Sequence, residues 1–479
     1  MKQAHCLSMA LLCTALFNIQ AQQQNPVILT QNAQDQVDLQ AVLSSKQPAQ
    51  EQKIANWTVM IYISADNDLF SFAGRNMKQM EAIGSNENLN IIVQLDTNRY
   101  GRGKVTQRYK IQHHSRELLF SPEQAMDSGD PDTLVDFCDW SIKRFPAQHY
   151  AVIMWNHGTG AIDPMIARAI NPSHLFTYNK QRDLIELDRS ISFMDFVESS
   201  AAPDKNVVLD AKPQTRGICF DQSTGNYIDN KGLGYALATI QEKCLNNEKL
   251  DILSFDACLM SMAEIGSIAS KHAKYMVASQ EVELGTGFNY ARVLLPLAQA
   301  ETTPEELAKH MVYAYEQSYG KITNDYTLAA LDLEHFGELE DNISSVAMLL
   351  IEAIDNQSSK SVRKMITYCK SPRHCTCFDE PTYIDLYDFY QNLEKRLHTI
   401  RLHDITLQKT IVAELTKQLK AGKELILKIV TANVAGHNLR RARGISIYLP
   451  SRLHPSYRKN EPAIEMNWLK MIMTYILSR

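Results

Sequence analysis

The chain has 479 residues, of which 45% are hydrophobic, and its formal net charge is −5. This length is enough to bury a large core and is too long for one minimal domain. The net negative charge, with no basic block in the sequence, argues against nucleic acid as a partner.

The N-terminus has the pattern of a secretory signal peptide, which we predict to span residues 1–21. Lys2 supplies the positive start, residues 7–17 form a short apolar stretch, and Ala21 precedes a polar run. The apolar stretch is too short for a permanent membrane anchor. We therefore expect an exported protein, secreted or periplasmic, without stable membrane insertion. The alternatives are a buried N-terminal helix and a lipoprotein anchored at Cys13.

Residues 22–54 are rich in Gln, Ala, Asn and Ser, which predicts a disordered or propeptide-like lead-in. After it, short apolar runs that are typical of buried strands alternate with helical patterns. The predicted strands are 57–64, 89–95, 105–111, 150–155 and 251–255, and the predicted helices are 70–83, 130–145 and 257–269. This alternation predicts an α/β fold with a mostly parallel sheet covered by helices on both faces.

The pattern changes twice further along the chain. Between about 162 and 216 the periodicity is lost, which predicts an exposed insert, with a short helix at 192–199, inside a catalytic domain of residues 55–300. Residues 301–479 are predicted to form a more helical C-terminal region. Its predicted elements are helices at 334–356 and 406–432, and strands at 327–333 and 444–449 that either extend the same sheet or form a subdomain.

His157 and Cys258 each follow an apolar strand directly. Ligands of parallel sheets bind beyond the carboxyl ends of the strands, so neighbouring strands would bring the two side chains together. A nearby imidazole helps a thiol to become a thiolate, and Cys258 is predicted to open a helix whose N-terminus favours negative charge. The N–H groups of Gly158 and Cys258 can hold an oxyanion. When each residue is considered alone, the alternatives are that His157 is a structural histidine and that Cys258 is a packed thiol.

Seven of the nine cysteines lie beyond the signal segment, so an exported protein would keep at least one unpaired thiol. Three of them cluster with a histidine: Cys369, His374, Cys375 and Cys377. Their spacing lacks the paired pattern of zinc sites, which favours a disulfide or free thiols. A zinc-held structural or adhesion protein is one rival hypothesis.

Around His157 and Cys258 the sequence resembles the clostripain family of cysteine peptidases, in the caspase-like group with gingipain, legumain and separase. The shared signature is one apolar strand ending in His157-Gly158 and another ending in Asp256-Ala257-Cys258. Further similar blocks are 57–62, 65–69, 278–281, 285–288, 385–389 and 444–450. The resemblance covers roughly residues 55 to 475 and implies a caspase-like fold.

The resemblance implies cleavage of proteins or peptides after Arg or Lys, with Cys258 attacking and His157 handling protons. Asp256 matches the family position linked to a basic P1 residue, and a guanidinium prefers a bidentate carboxylate partner. The alternative for Asp256 is a helix N-cap. Glu281 and Glu283 are further candidates for the pocket, with solvated surface as the alternative. The rival functions are an Asn or Asp preference, and a catalytically silent peptide-binding protein.

The family also implies self-cleavage at a basic residue between His157 and Cys258. A monomer would then become two associated chains. The candidate cleavage sites are Arg216, with Lys212 and Arg189 as alternatives. The interval between His157 and Cys258 is longer than the family implies, which leaves the use of these sites open.

Some relatives need calcium, and the resemblance therefore leaves calcium open as a cofactor. Asp66 and Asp68 offer oxygen ligands, but no loop has a recognisable calcium spacing. The sequence predicts no metal site.

Overall fold

The structure, a computed structural model, describes residues 54–99, 103–162, 165–166, 175–190, 214–215, 217–355, 359–459 and 466–478. Several predictions concern residues outside these ranges: the signal peptide, all but the last residue of the lead-in, the helix at 192–199, Lys212 and Arg216.

A sheet of nine described strands organises the chain. In spatial order the strands are β16 (Val430–Ala435), β14 (Thr327–Asp332), β13 (Ala273–Ala278), β12 (Leu250–Asp256), β5 (Ala147–Trp155), β1 (Ala55–Ala65), β2 (Leu89–Arg99), β3 (Gly103–Gln112) and β4 (Ser115–Phe120). The five strands from β13 to β2 are parallel, and two antiparallel strands flank them on each side. The predicted α/β fold with a mostly parallel sheet is confirmed.

The central strands are buried on both faces. In β1, Met60 and Tyr62 belong to one hydrophobic cluster, whereas Val59 and Ile61 belong to the cluster on the other face. Alternating side chains thus enter two separate cores. This explains why the central strands are continuous apolar runs instead of alternating with polar residues.

Helices cover both faces of the sheet. They are α1 (Phe70–Glu81), α2 (Pro131–Arg144), α3 (Asn230–Cys244), α4 (Ala263–Ala269), α5 (Tyr290–Gln299), α6 (Pro304–Tyr319), α7 (Phe336–Asp355), α8 (Ser359–Cys369), α9 (Leu386–Arg396), α10 (Ile405–Ile429), α11 (Pro455–Lys459) and α12 (Met466–Leu477). Helices α1, α5 and α6 pack on one face, and most of the others pack on the opposite face. Among the described helices, none has the length and apolarity needed to cross a membrane.

The C-terminal region adds strands to the same sheet, which was one of the two alternatives. β14 pairs with β13, and β16 pairs with β14. The predicted helix at 406–432 ends at Ile429, where β16 begins. The predicted strand at 444–449 contains β17 (Ser446–Tyr448), which pairs with β15 (Tyr383–Asp385) outside the main sheet. Residues Lys53–Arg479 form one compact unit.

The predicted insert is only partly an exposed segment. Its described residues 175–190, here called the insert hairpin, contain β7 (Phe176–Asn179) paired with β8 (Leu184–Leu187). Leu175 and Leu187 are buried in the hydrophobic core, and the N–H of Ile185 donates to the carbonyl of Ile322 at 2.7 Å. The hairpin is therefore docked on the body of the protein.

Short strand pairs lie on either side of the insert hairpin in the sequence. β6 (Met165–Ile166) pairs with β9 (Gln214–Thr215), and β10 (Ile218–Asp221) pairs with β11 (Asn226–Ile228).

Candidate active site

The structure places His157 and Cys258 in one cavity at the carboxyl ends of β5 and β12. These strands are parallel neighbours, and Asp256 lies opposite Trp155 in the register. Both side chains are nearly buried, with 3% of His157 and 7% of Cys258 exposed. The cavity is lined by Leu69, Trp155, Asn156, His157, Leu175, Asp256, Ala257, Cys258, Glu283, Leu284, Gly285 and Gly287. Adjacent parallel strands thus bring together residues that are far apart in the sequence.

The environment of Cys258 differs from the predicted helix N-terminus. Helix α4 begins at Ala263 and its N-cap residue, Met262, makes no side-chain cap, so the predicted helix at 257–269 begins too early. The helix-dipole argument for Cys258 and the N-cap alternative for Asp256 are therefore both wrong. Instead, the N–H of Glu283 donates to Cys258 Sγ at 3.2 Å. Burial raises the pKa of the Cys258 thiol, as do neighbouring carboxylates, which disfavours the thiolate here.

A tight turn follows the cysteine. Leu259 has a φ of 60°, in the left-handed region that non-glycine residues rarely adopt, and its N–H donates to the carbonyl of Glu281 at 3.2 Å. Gly158 packs against this turn so closely that a Cβ there would overlap the carbonyl oxygen of Cys258. The backbones of Gly158 and Cys258 are thus adjacent, which the predicted oxyanion-binding role requires.

His157 is held by a residue whose role the sequence did not reveal. Its Nε2 lies 2.9 Å from Asp68 Oδ1, and this contact orients the ring. Asp68 follows β1, the neighbour of β5, so it reaches the same edge of the sheet as His157. The sequence analysis gives Asp68 only as a possible calcium ligand. Its position directly after a parallel strand is the signal that could have identified its role.

Asp256 lines the cavity beside a second carboxylate. Its oxygens accept hydrogen bonds from the N–H of Phe288 at 2.9 Å and from the hydroxyl of Tyr290 at 2.8 Å. A Cβ on Gly287 would lie 2.7 Å from the Asp256 carboxylate, so only glycine leaves room for it. Burial raises the pKa of Asp256 to about 6.

Glu283 is the second carboxylate, and it is buried next to Asp256. Burial and the negative charge of Asp256 raise its pKa well above the usual range. Apart from Asp256, with which it can share a proton, no described residue donates a hydrogen bond to its oxygens. The two residues, here called the cavity pair, thus form an acidic site that no described cation neutralises.

Glu281 is fully buried as well, so the solvated-surface alternative is wrong for both glutamates. Its Oε1 accepts hydrogen bonds from the N–H groups of Val282 at 2.9 Å and Asp379 at 2.8 Å. Its Oε2 lies 3.1 Å from Arg189 in the insert hairpin. Glu281 is therefore close to the cavity but points toward the insert.

Asp66 belongs to a buried group that contains its own cation. Lys104 Nζ lies 3.1 Å from Asp96, 3.9 Å from Asp66, and in direct contact with Asp221. We call these four residues the lysine cluster. Among the residues that the structure describes, no group of three or more His, Cys, Asp or Glu side chains is placed to hold a metal ion.

The four residues of the zinc hypothesis do not converge. Every described cysteine is a free thiol, so the disulfide alternative is wrong for Cys369, Cys375 and Cys377. Cys375 Sγ faces the carbonyl of Asp385 at 3.8 Å, whereas the ring of His374 stacks on Tyr368 with centroids 3.7 Å apart.

Of the three candidate cleavage sites, Arg189 alone lies in a described segment. It follows β8 at the base of the insert hairpin, and its guanidinium contacts two carboxylates outside the cavity. Two residues after Arg216, Ile218 pairs in an isolated antiparallel bridge with Gly158. The chain just beyond that candidate site therefore lies beside the predicted oxyanion-binding backbone.

A parallel central sheet that carries a cysteine and a histidine after adjacent strands defines a caspase-like α/β protein. The sequence model of the Clostripain family matches residues 61–174 and 204–465, and the chain belongs to that family. Clostripain from Hathewaya histolytica is 25% identical over 319 residues, which cover 61% of this chain and 51% of that protein. The chain thus spans about half the length of this curated relative.

Two solved structures share the fold. One is a secreted C11 cysteine protease from Bacteroides thetaiotaomicron in complex with an irreversible peptide inhibitor, with a TM-score of 0.54 and 17% identity over 87% of this chain and 99% of that one. The other is an inactive zymogen C11 protease from Parabacteroides distasonis, with a TM-score of 0.55 and 17% identity over 88% of this chain and 98% of that one.

Proposed function

We propose that this chain is an exported cysteine endopeptidase that cleaves proteins or peptides after Arg or Lys, with Cys258 as the nucleophile and His157 as its acid–base partner. The cavity pair is the observation that carries the proposal. Two buried carboxylates beside a cysteine and a histidine are costly unless a cation joins them. A guanidinium or ammonium group of the substrate supplies that charge in the position next to the nucleophile.

The proposed chemistry assigns one task to each group. Cys258 Sγ attacks the scissile carbonyl carbon, His157 takes the thiol proton and delivers it to the leaving amine, and Asp68 holds the imidazole. The N–H groups of Gly158 and Cys258 stabilise the oxyanion. Water then hydrolyses the thioester, which releases the acid product and restores the thiol.

The cavity pair also separates this proposal from its rivals. An Asp side chain at P1 would meet two carboxylates and be repelled, and an Asn side chain would leave their charge uncompensated. A catalytically silent binder would keep the same preference for basic peptides but would have no turnover, so Cys258 distinguishes it from an enzyme.

We infer that the described state is an inactive precursor. The cavity has a volume of about 20 Å³, room for about one water molecule and too little for an arginine side chain. Leu175 of the insert hairpin lines it, and burial raises the pKa of the Cys258 thiol. Cleavage at Arg216, or at Lys212 or Arg189, would free one end of the insert and leave two associated chains. An inactive zymogen among the structures with this fold supports the proposal.

Export rests on the predicted signal peptide, and the secreted protease with the same fold supports it. Calcium stays open as a cofactor of the active form.

Peptides that differ only at P1 test the proposed activity. After incubation of the full chain, we expect turnover of Arg and Lys peptides and none of Asn or Asp peptides. N-terminal sequencing should find a new chain beginning at Gly217. Cys258→Ala should abolish both self-cleavage and turnover, because no other group can form the thioester.

The matched control is Cys244→Ala, which removes another free thiol that lies outside the cavity lining. It should leave both activities unchanged. Turnover of Asn peptides instead of Arg peptides would overturn the basic specificity, and turnover that survives Cys258→Ala would overturn the assignment of the nucleophile.

A further inference from the structure

The insert hairpin places an arginine on two buried carboxylates next to the cavity. The Arg189 guanidinium lies 3.1 Å from Glu281 Oε2 and 3.0 Å from Asp325 Oδ1. Both carboxylates are buried, with 0% of Glu281 and 2% of Asp325 exposed, whereas 41% of the Arg189 side chain is exposed. We call Glu281 and Asp325 the outer pair. The two carboxylates are buried in the core, whereas Arg189, which neutralises them, lies partly exposed at the surface.

The two carboxylates have firm anchors of their own. Glu281 Oε1 accepts two backbone N–H groups, which leaves Oε2 for Arg189. Asp325 Oδ1 also accepts a hydrogen bond from the amide of Asn438 at 2.9 Å. Asp325 Oδ2 accepts a further hydrogen bond from the N–H of Leu187 in the insert hairpin at 3.2 Å. The two carboxylates thus form a preorganised receptor for one nitrogen, Arg189 Nη2, which donates to both.

Arg189 belongs to a segment outside the family match. The match covers residues 61–174 and 204–465, so it contains Glu281 and Asp325 but leaves out 175–203, where Arg189 lies. The part of the chain that matches the family therefore carries two buried carboxylates, and an added segment supplies their cation. Without Arg189, two adjacent buried charges would need another positive partner.

The outer pair lies directly beside the proposed catalytic residues. Glu281 is two residues before Glu283, and its carbonyl accepts the N–H of Leu259, the residue after Cys258. The insert hairpin reaches both sites at once. Leu175 lines the catalytic cavity, and the N–H of Asp188 donates to the carbonyl of Leu175 at 2.8 Å, so Arg189 follows next to it.

An open groove continues from Arg189. It has a volume of about 590 Å³ and is lined by Arg189, Pro372, Arg373, Cys375, Thr376, Cys377, Phe378, Asp379, Pro381, Asn438, Leu439, Arg440 and Arg441. Two of its arginines have other contacts: Arg441 Nε lies 3.4 Å from Asp388, and Arg440 lies 3.5 Å from His437. The groove gives an extended peptide space beside Arg189, the residue that contacts the outer pair.

We propose that Glu281 and Asp325 form a second subsite for a basic side chain, which binds an Arg or Lys of the substrate a few positions from the scissile bond. Arg189 occupies this subsite as a tethered ligand until the insert is displaced. The inference rests on the proposed endopeptidase function and extends it, since the enzyme then prefers substrates with two basic residues near the cleavage point.

The test uses the full chain as Arg189→Ala, which removes the tethered ligand, and as Arg189→Ala/Asp325→Asn. Fluorogenic peptides carry Arg at P1 and either neutral residues elsewhere or one further Arg at each neighbouring position in turn. We expect Arg189→Ala to favour a second Arg at one position by about tenfold in kcat/KM, because two charge-assisted hydrogen bonds form there. The added Asp325→Asn should remove most of this preference.

Arg182→Ala is the matched control, since Arg182 is an exposed arginine of the same hairpin that pairs with Glu186. It should keep the wild-type preference profile. If the protein with Asp325→Asn does not fold, Glu281→Gln in the Arg189→Ala background removes the other negative charge instead. The glutamine oxygen can still accept hydrogen bonds from the two backbone N–H groups.

The proposal is overturned if no position shows a second-Arg preference in Arg189→Ala, or if the preference survives both charge removals. A complete lack of turnover of single-Arg peptides would instead contradict the proposed function. In that event, calorimetric titration of the Cys258→Ala/Arg189→Ala protein with the same peptides tests whether the outer pair binds a second Arg. Equal affinity for one-Arg and two-Arg peptides would overturn it.

Discussion

Two buried acidic groups, the lysine cluster and the cavity pair, lie at the carboxyl edge of the sheet and differ in whether they contain a cation. The lysine cluster contains three aspartates around an ammonium group of the same chain. The cavity pair, Asp256 and Glu283, has no cation among the described residues. The cavity pair also lines the cavity that holds Cys258 and His157. We therefore attribute the cavity pair to binding, and the lysine cluster, which contains its own cation, to structure.

The largest expected effect is on turnover at the cavity pair. Asp256→Asn should lower kcat/KM for Arg peptides by about a thousandfold, because a desolvated charge partner of the substrate is lost. It should lower the free energy of unfolding by no more than about 1 kcal/mol, because the amide keeps hydrogen-bonding capacity toward Phe288 and Tyr290. Peptide kinetics and urea denaturation measure the two effects. A large fall in the free energy of unfolding with little change in kcat/KM for Arg peptides would show that Asp256 has a structural role.

The lysine cluster should behave in the opposite way. Lys104→Met leaves three buried carboxylates without a cation and should lower the free energy of unfolding by about 3 kcal/mol. Urea denaturation measures this, with Lys309→Met as the control for an exposed pair that contributes no more than about 0.5 kcal/mol. If Lys104→Met were as harmless as Lys309→Met, the distinction between the two acidic groups would disappear.

Asp66 and Asp68 sharpen the comparison, because residues two positions apart belong to different groups. Asp68 contacts His157, whereas Asp66 joins the lysine cluster. Asp68→Asn should lower kcat by about thirtyfold while KM changes little, since the carboxylate orients the imidazole. An Asp68→Asn enzyme with wild-type kcat would show that the contact has no role in positioning.

The smallest expected effect is the pH dependence of stability. Burial raises the pKa of Asp256 to about 6, so the folded protein binds more protons than the unfolded chain between about pH 4 and pH 6. The stabilising contribution of the protonated form is thus present at low pH and is lost as the pH rises through about 6. Asp96, whose pKa burial raises to about 7, changes stability in the same direction.

Comparing two variants that differ only at residue 256 isolates the contribution of Asp256 to the pH dependence of stability. The melting temperature of Cys258→Ala protein should fall more between pH 5 and pH 7 than that of Cys258→Ala/Asp256→Asn protein. Benzamidine, a guanidinium-like probe, should inhibit the self-cleaved enzyme more strongly as the pH rises through about 6, because it binds the charged pair. Identical melting profiles for the two proteins would contradict a raised pKa at Asp256.

Local patterns predicted much of the fold. The apolar runs at 57–64, 89–95 and 150–155 lie within β1, β2 and β5, and the helical pattern at 130–145 contains α2. The helix predicted after β12 failed because distant contacts decide that turn. Ser261 donates a hydrogen bond to the carbonyl of Gly444 at 2.6 Å, and Met262 pairs with Ser446. No pattern near Cys258 reports these partners.

The sequence by itself determined the strands β1, β2, β5 and β12, the helices α1 and α2, and the positions of His157 and Cys258 after two of the strands, because periodicity and chain order are local properties. Only the tertiary structure decided that Asp68 holds His157, that Glu283 adjoins Asp256, and that Arg189 reaches Glu281. These contacts join residues up to 92 positions apart in the chain. Their energies depend on burial and on the proximity of the charged partner, and neither exists before the sheet has brought the segments together.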